Sequence, residues 1–272
     1  MLKRKVSLIV TMLSFCAFLL PCLAFGHSLW INVTEHAPAF FPKFGAQTKT
    51  YLGYGHRYPL DDFLPADNLS EYTLIGPDGT RKQIVPVSEK GFLESVLSLK
   101  DPGRYVIAVA TKPGFYTMYV DEGKMHHKLG PKTGLKGVIM SLYYEQYAKS
   151  LVIAGNSDAG DYRKPIGHKL EVIPLQDPKR LRGGPGNHIS VQVLFDGRPA
   201  KFCKVYATYA GFATNDDFAY ATTTDQDGMA RIRLSHWGAW LVKANLRLPA
   251  PDDMKGKCDE LNYTATLTFL VP

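Results

Sequence analysis

His27 is a residue whose position, as well as its type, could carry chemistry. The basic triplet Lys3-Arg4-Lys5 precedes an uncharged run from Val6 to Leu20, and Ala24-Phe25-Gly26 then puts small residues where a signal peptidase reads. Cleavage after Gly26 would leave histidine at the mature amino terminus. Its free α-amine and its ring Nδ1 could then close a six-membered chelate on one metal ion. Reference pKa values of about 7.7–8.0 for an amine and about 6.5 for imidazole make both neutral donors near pH 7 at modest cost. Donors of this kind suit Ni, Co, Cu and Zn and disfavour Mg and Ca. The plainer alternative is that His27 stands after the cut by coincidence.

A second nitrogen is available from His56 in Gly53-Tyr54-Gly55-His56-Arg57-Tyr58-Pro59, where flanking glycines and a proline mark a strand-to-loop transition. His126 and His127, in Lys124-Met125-His126-His127-Lys128, are a third source, with Met125 as a soft sulfur donor nearby. The alternatives are a structural histidine at 56 and a solvated basic loop at 124–128. His36, His168, His188 and His236 are isolated and read as structural. There is no nucleophile elbow, metalloprotease helix motif, phosphate loop or dinucleotide fingerprint. The pairs Asp61-Asp62, Asp216-Asp217 and Asp252-Asp253 lie among turn-forming residues and read as solvated turns. The residues therefore suggest a binding protein and not an enzyme, and no catalytic or cofactor-binding residue is assigned.

The elements that must position these histidines read as strands. Beyond His27, short runs rich in Val, Ile, Tyr and Phe alternate with Gly, Pro and Asp at intervals of about ten residues, the pattern of an all-β chain. Gly103-Arg104-Tyr105-Val106-Ile107 has the form of a core-crossing strand in an immunoglobulin-like sandwich. The stretch 133–150 is the most helix-like part. Gly, Pro and charged residues over 176–188 read as a linker. The expected organisation is a signal peptide at 1–26, a sandwich at 27–175 carrying the metal-site loops, the linker, and a second sandwich at 189–272.

The formal charge of +7 falls to +4 once Lys3, Arg4 and Lys5 leave with the signal, and the remaining basic residues are scattered, which argues against nucleic acid as a partner. Cys16 and Cys22 leave too. Cys203 and Cys258 remain, an even pair in an exported chain, and a disulfide between them is expected, worth roughly 4 kcal/mol by loop closure.

Taken together, His27-Ser28-Leu29-Trp30, Gly55-His56-Arg57-Tyr58-Pro59, Glu171-Val172-Ile173-Pro174, Val191-Gln192-Val193-Leu194-Phe195-Asp196-Gly197-Arg198-Pro199-Ala200 and Gly238-Ala239-Trp240-Leu241-Val242 resemble the NikM-like exported accessory proteins of nickel and cobalt uptake. The resemblance implies an immunoglobulin-like first sandwich and a transthyretin-like (prealbumin-like) second one. It implies a periplasmic protein that captures Ni(II) or Co(II) as cargo, Cu(II) or Zn(II) being further candidates, for a membrane transporter component of energy-coupling-factor type. His27 and His56 fall on the family's recurring phrases, whereas His126 and His127 do not. Two other readings stay open: a copper-brace oxidative enzyme using the same histidines, and a structural or carbohydrate-binding sandwich in which they are incidental.

Overall fold

The structure, a computed structural model, describes residues 26–272, so the leader assigned to 1–26 lies, except for Gly26, outside the described residues. The strands in the first half are β1 (Ser28–Val33), β2 (Ala46–Gly55), β3 (Leu69–Ile75), β4 (Arg81–Gln83), β5 (Ser95–Leu99) and β6 (Gly103–Thr111). They continue with β7 (Gly114–Asp121), β8 (Lys124–Lys128), β9 (Val138–Ala154) and β10 (Leu170–Pro174). The rest are β11 (His188–Phe195), β12 (Arg198–Pro199), β13 (Lys204–Tyr209), β14 (Tyr220–Thr223), β15 (Met229–Arg233), β16 (Gly238–Pro249) and β17 (Glu260–Val271). Two 3-10 turns, at Ala66–Asn68 and Pro178–Arg180, are the helical elements among the described residues, and no helix there is long and apolar enough to cross a membrane. The chain is all-β, as the turn spacing implies.

One long sheet runs in the order β14-β13-β16-β17-β9-β6-β3-β4, with β7 on β9 and β8 on β7. Its spine is the parallel pairing of β17 with β9, from Glu260↔Leu142 to Thr268↔Ser150. The two-residue period of a strand then assigns each face. Ala148 and Val152 of β9 join Leu29, Ile31, Leu52 and Leu97 beneath the small sheet β1-β2-β5. Leu151, one position out of phase, joins Val172, Val191, Leu267, Phe269 and Trp240 beneath the other small sheet, β10-β11-β12 with β15 on β11. The small sheets thus cover opposite faces of the long sheet, making two β-sandwiches with a common layer. On β17 the threonines of the opposite face hold β1, with Thr266 and Thr268 hydroxyls donating to the Leu29 and Ile31 carbonyls at 2.7 Å each. The segment 176–188 joins β10 to β11, which pair antiparallel from Leu170↔Phe195 to Pro174↔Val191.

Two sequence expectations are corrected. The helix-like stretch 133–150 forms most of β9, a 17-residue strand. Covered on both faces, β9 is buried without a break from Ala148 to Ala154, so the polar–apolar alternation that betrays a strand is lost there. Cys203 and Cys258 are both buried free thiols and not a disulfide. The register Lys204↔Asn245↔Thr264 puts β16 between them and sets Cys258 about five residues along the sheet from Cys203. Two inter-strand steps plus that offset give a separation on the order of 15–20 Å, against the 4.4–6.8 Å between Cα atoms that a disulfide spans. Burial pushes the Cys203 thiol up to about 12 and raises that of Cys258. Because the thiolate is the reactive form, both thiols should resist alkylation in the native protein. Unreduced protein denatured with urea is expected to take up two alkyl groups by intact mass at Cys203 and Cys258; uptake of none would restore the disulfide.

Candidate metal centre

Antiparallel pairing of β1 with β2 runs from Val33↔Thr50 to Ser28↔Gly55. Continued by one residue, the same register sets His27 opposite His56, just past the end of the ladder. Their ring centroids are 4.7 Å apart, tilted by 56°. The His27 ring also stacks on Tyr54 at 5.1 Å, and Gln146 Nε2 of β9 donates to the His27 carbonyl at 2.9 Å. Two residues distant in sequence are neighbours because one hairpin-like ladder ends between them.

The loop after β2 is built to hold His56 there. Asp61 Oδ2 accepts the His56 backbone N–H at 2.6 Å and that of Arg57 at 3.2 Å, while Oδ1 accepts Arg57 Nε at 2.9 Å. Burial alone would raise the Asp61 carboxyl, but these bonds and the Arg57 charge hold it below the usual carboxylate range. Gly55, at φ +137°, is required: a Cβ there would stand 2.4 Å from Asp61 Oδ2. On the other side, Trp30 Nε1 and Asn32 Nδ2 of β1 both donate to the Pro59 carbonyl, at 2.8 and 2.9 Å. The Trp30 indole lies over Gly53, where an added Cβ would come within 2.1 Å of Nε1. Gly53→Ala is therefore expected to displace the indole and release the Pro59 carbonyl, lowering stability by about 1–3 kcal/mol as other overpacked cores do. Urea denaturation checks this, and a midpoint equal to wild type would show that the indole has room to move.

The pair opens onto a cleft of about 640 Å³ lined by His27, His56, Arg57, Asp61, Asp62 and, from the β13–β14 connection, Thr214, Asn215 and Asp216. Burial, then the neighbouring His27, lowers the pKa of His56, with Asp216 and Asp61 pulling the other way. Behind His56 a cavity of about 20 Å³ is bounded by Ser28, Thr208, Phe218 and Lys243. Burial, then Arg247, brings the Lys243 ammonium down to about 8, against Asp216. The sequence reading missed Asp61 and Asp216 by treating both as solvated turn residues. Asp61 could have been found from its nearness to the Gly-His loop, but Asp216 is brought in only by the tertiary fold.

The other two candidate ligands lie elsewhere. His126 and His127 sit on β8, where His127 pairs with Met118, which pairs in turn with Met140 of β9. Met140 lies six residues along β9 from Gln146, so this pair is on the order of 20 Å from His27. The structure brings His27 and His56 together and leaves His126 and His127 apart from them. His36 donates from Nδ1 to the Leu151 carbonyl at 2.7 Å, and His168 Nε2 meets Glu71 Oε2 at 2.9 Å, both as structural residues. No group of three or more His, Cys, Asp or Glu side chains with metal-site geometry occurs among the described residues. The His27–His56 pair by itself offers two imidazoles.

The profile of a family described as a domain of unknown function, DUF4198, matches residues 24–247. No curated protein is similar to the chain at a significant level. Among solved structures, the D0-D1 domain of intimin aligns over 89% of this chain and 97% of its own, at 13% identity and a TM-score of 0.23. The native conformation of E. coli alpha-2-macroglobulin aligns over 92% of this chain and 14% of its own, at 10% identity and a TM-score of 0.21.

Proposed function

This chain belongs to the DUF4198 family, and we propose from its own residues that it is an exported metal-binding protein whose site is His27 and His56. The observation that carries the reading is the 4.7 Å approach of the two rings at the end of the β1–β2 ladder. Cleavage after Gly26 would add the His27 α-amine to the two imidazoles, giving three nitrogen donors on a small arc. The family resemblance read from the sequence supports Ni(II) or Co(II) as cargo, a periplasmic location and delivery to a transporter of energy-coupling-factor type. The polar cleft, open to solvent and bordered by Asp61, Asp62 and Asp216, suits the entry and release of a divalent cation.

Calorimetric titration with Ni(II), Co(II), Cu(II) and Zn(II), on protein beginning at His27 and on protein carrying one extra residue ahead of it, tests the reading. One equivalent of Ni(II) or Co(II) is expected to bind the first protein far more tightly than the second. Equal binding by both would remove the amine from the site. An all-nitrogen donor set also favours Cu(II), which such sites bind most strongly among these divalent ions. This supports a second reading, a copper-brace oxidative enzyme, whose mark would be reductant-dependent peroxide formation by the copper-loaded protein.

A further inference from the structure

The ladder that separates His127 from the His27 site brings it close to sulfur. Met118 of β7 faces His127 on β8 and, on its other side, Met140 on β9. Directly paired residues of antiparallel strands project to the same face, with Cβ atoms about 5 Å apart. Met125, two residues before His127 on β8, lies on that face as well. Side-chain contacts agree with this assignment: Tyr116, two residues before Met118, is bonded through its hydroxyl to His127 Nδ1, while His126 stacks on Tyr119 from the opposite face. Of the seven methionines, Met1 and Met12 precede residue 26, leaving five, and three of those five lie on this one patch. None of the three is fully buried, and Met125 is 57% exposed.

We propose that Met118, Met125, Met140 and His127 form a site for a soft monovalent cation, Cu(I), separate from the His27–His56 site. Thioether sulfur is the soft donor that favours Cu(I) over the harder Ni(II) and Co(II), and imidazole accepts copper beside it. In the tautomer whose Nδ1–H donates to the Tyr116 oxygen, His127 presents the Nε2 lone pair and its ring is held in orientation, as outer-shell partners do for ligating histidines. Methionine has three rotatable bonds, which lets thioethers on β8, β7 and β9 turn toward an ion beside His127. Thioether sulfur takes up no proton, so the part of the affinity that the three sulfurs supply should be independent of pH, whereas binding through amine and imidazole nitrogens weakens in acid.

The probe is Ag(I), a redox-inert stand-in, titrated into protein labelled at the methionine methyl groups and followed by NMR. At one equivalent the Met118, Met125 and Met140 signals are expected to shift, with Met229 unmoved. A shift of Met254 alone would place the ion on the neighbouring Cys258 thiol and overturn the proposal, as would the absence of any shift at the three. Competition for Cu(I) against a chromophoric chelator, under anaerobic conditions, supplies the second arm. The volume-conserving double variant M118L/M140L should lose at least about 100-fold in Cu(I) affinity while titrating with Ni(II) as wild type does. Unchanged Cu(I) affinity in that variant would also overturn it. Should the variant fail to fold, the methyl shifts of the unaltered protein decide alone.

Discussion

Removing the Glu171 carboxylate as Glu171→Ala is expected to destabilise the protein by about 3–5 kcal/mol, the cost of leaving a buried charge without its partner. Glu171 stands on β10 and receives Lys149 Nζ of the spine strand β9 at 2.7 Å, with side chains 2% and 3% exposed. Its two oxygens also accept the backbone N–H groups of Ile166 and Gly167, at 2.9 and 3.2 Å. The ion pair therefore pins the small sheet of the second half to the long sheet shared by both halves. For a chain of this size such a loss should lower the melting temperature by roughly 10 °C, measured by scanning calorimetry at pH 7. The double change Lys149→Met with Glu171→Leu is expected to recover part of that loss, since no charge is left buried without its partner, while the Ile166 and Gly167 N–H groups still lose their acceptor. Burial holds the Lys149 ammonium below the usual lysine range, with Glu171 opposing. With Glu171 gone, the folded state sheds that proton before the unfolded state does. The unfolded state then binds more protons between the two pKa values, and stability rises with pH there. The deficit of Glu171→Ala should thus shrink toward pH 10, and a deficit under about 1 kcal/mol at pH 7 would show that water reaches the pair.

His56→Ala is expected to weaken Ni(II) binding by at least about 100-fold, the loss of one nitrogen of three exceeding the 10–100-fold cost of removing an outer-shell partner. Asp61→Asn should cost roughly 10-fold, because Asp61 holds the His56 backbone and not the ion. The pH dependence has a definite sign. Protons compete with the metal for every nitrogen, so affinity is highest above the reference amine range of about 7.7–8.0 and falls as pH decreases. His56, with its pKa lowered by burial and by His27, stays a neutral donor to more acid pH than free imidazole. Its shift also acts on the metal-free fold: the unfolded chain takes up a proton near pH 6.5 that the folded chain resists, so stability present above 6.5 is lost as pH falls below it. His36, buried and lowered in the same way, adds to that loss. Calorimetric titration of the two variants from pH 5.5 to 8.5 checks the set. Binding by His56→Ala equal to wild type would leave His56 outside the site.

Much of this was legible in the chain itself. Turn-punctuated runs of β-branched and aromatic residues were enough for an all-β reading, because each strand covered on one face keeps its alternation, as β2 does in its buried–exposed pattern from Ala46 to Thr50. His27 and His56 stood out singly, one by its place after the predicted cut and the other by its glycine-flanked loop. Their partnership did not, since it rests on the β1–β2 register, and a shift of one residue would turn every side chain to the other face. Asp216 was invisible because its loop enters the cleft from the far half of the chain.

Residue types and local spacing, then, settled the strand-rich class and the candidate donor atoms. Those properties depend on each residue and its immediate neighbours. Pairing across the long sheet settled the rest: β9 as a strand buried on both faces, the two cysteines held apart, His27 set against His56, and His127 among methionines. Strand pairing joins residues far apart in the chain through backbone hydrogen bonds that are alike at every position. Which residue faces which is therefore decided by the burial of whole faces, and only the folded sheet expresses it.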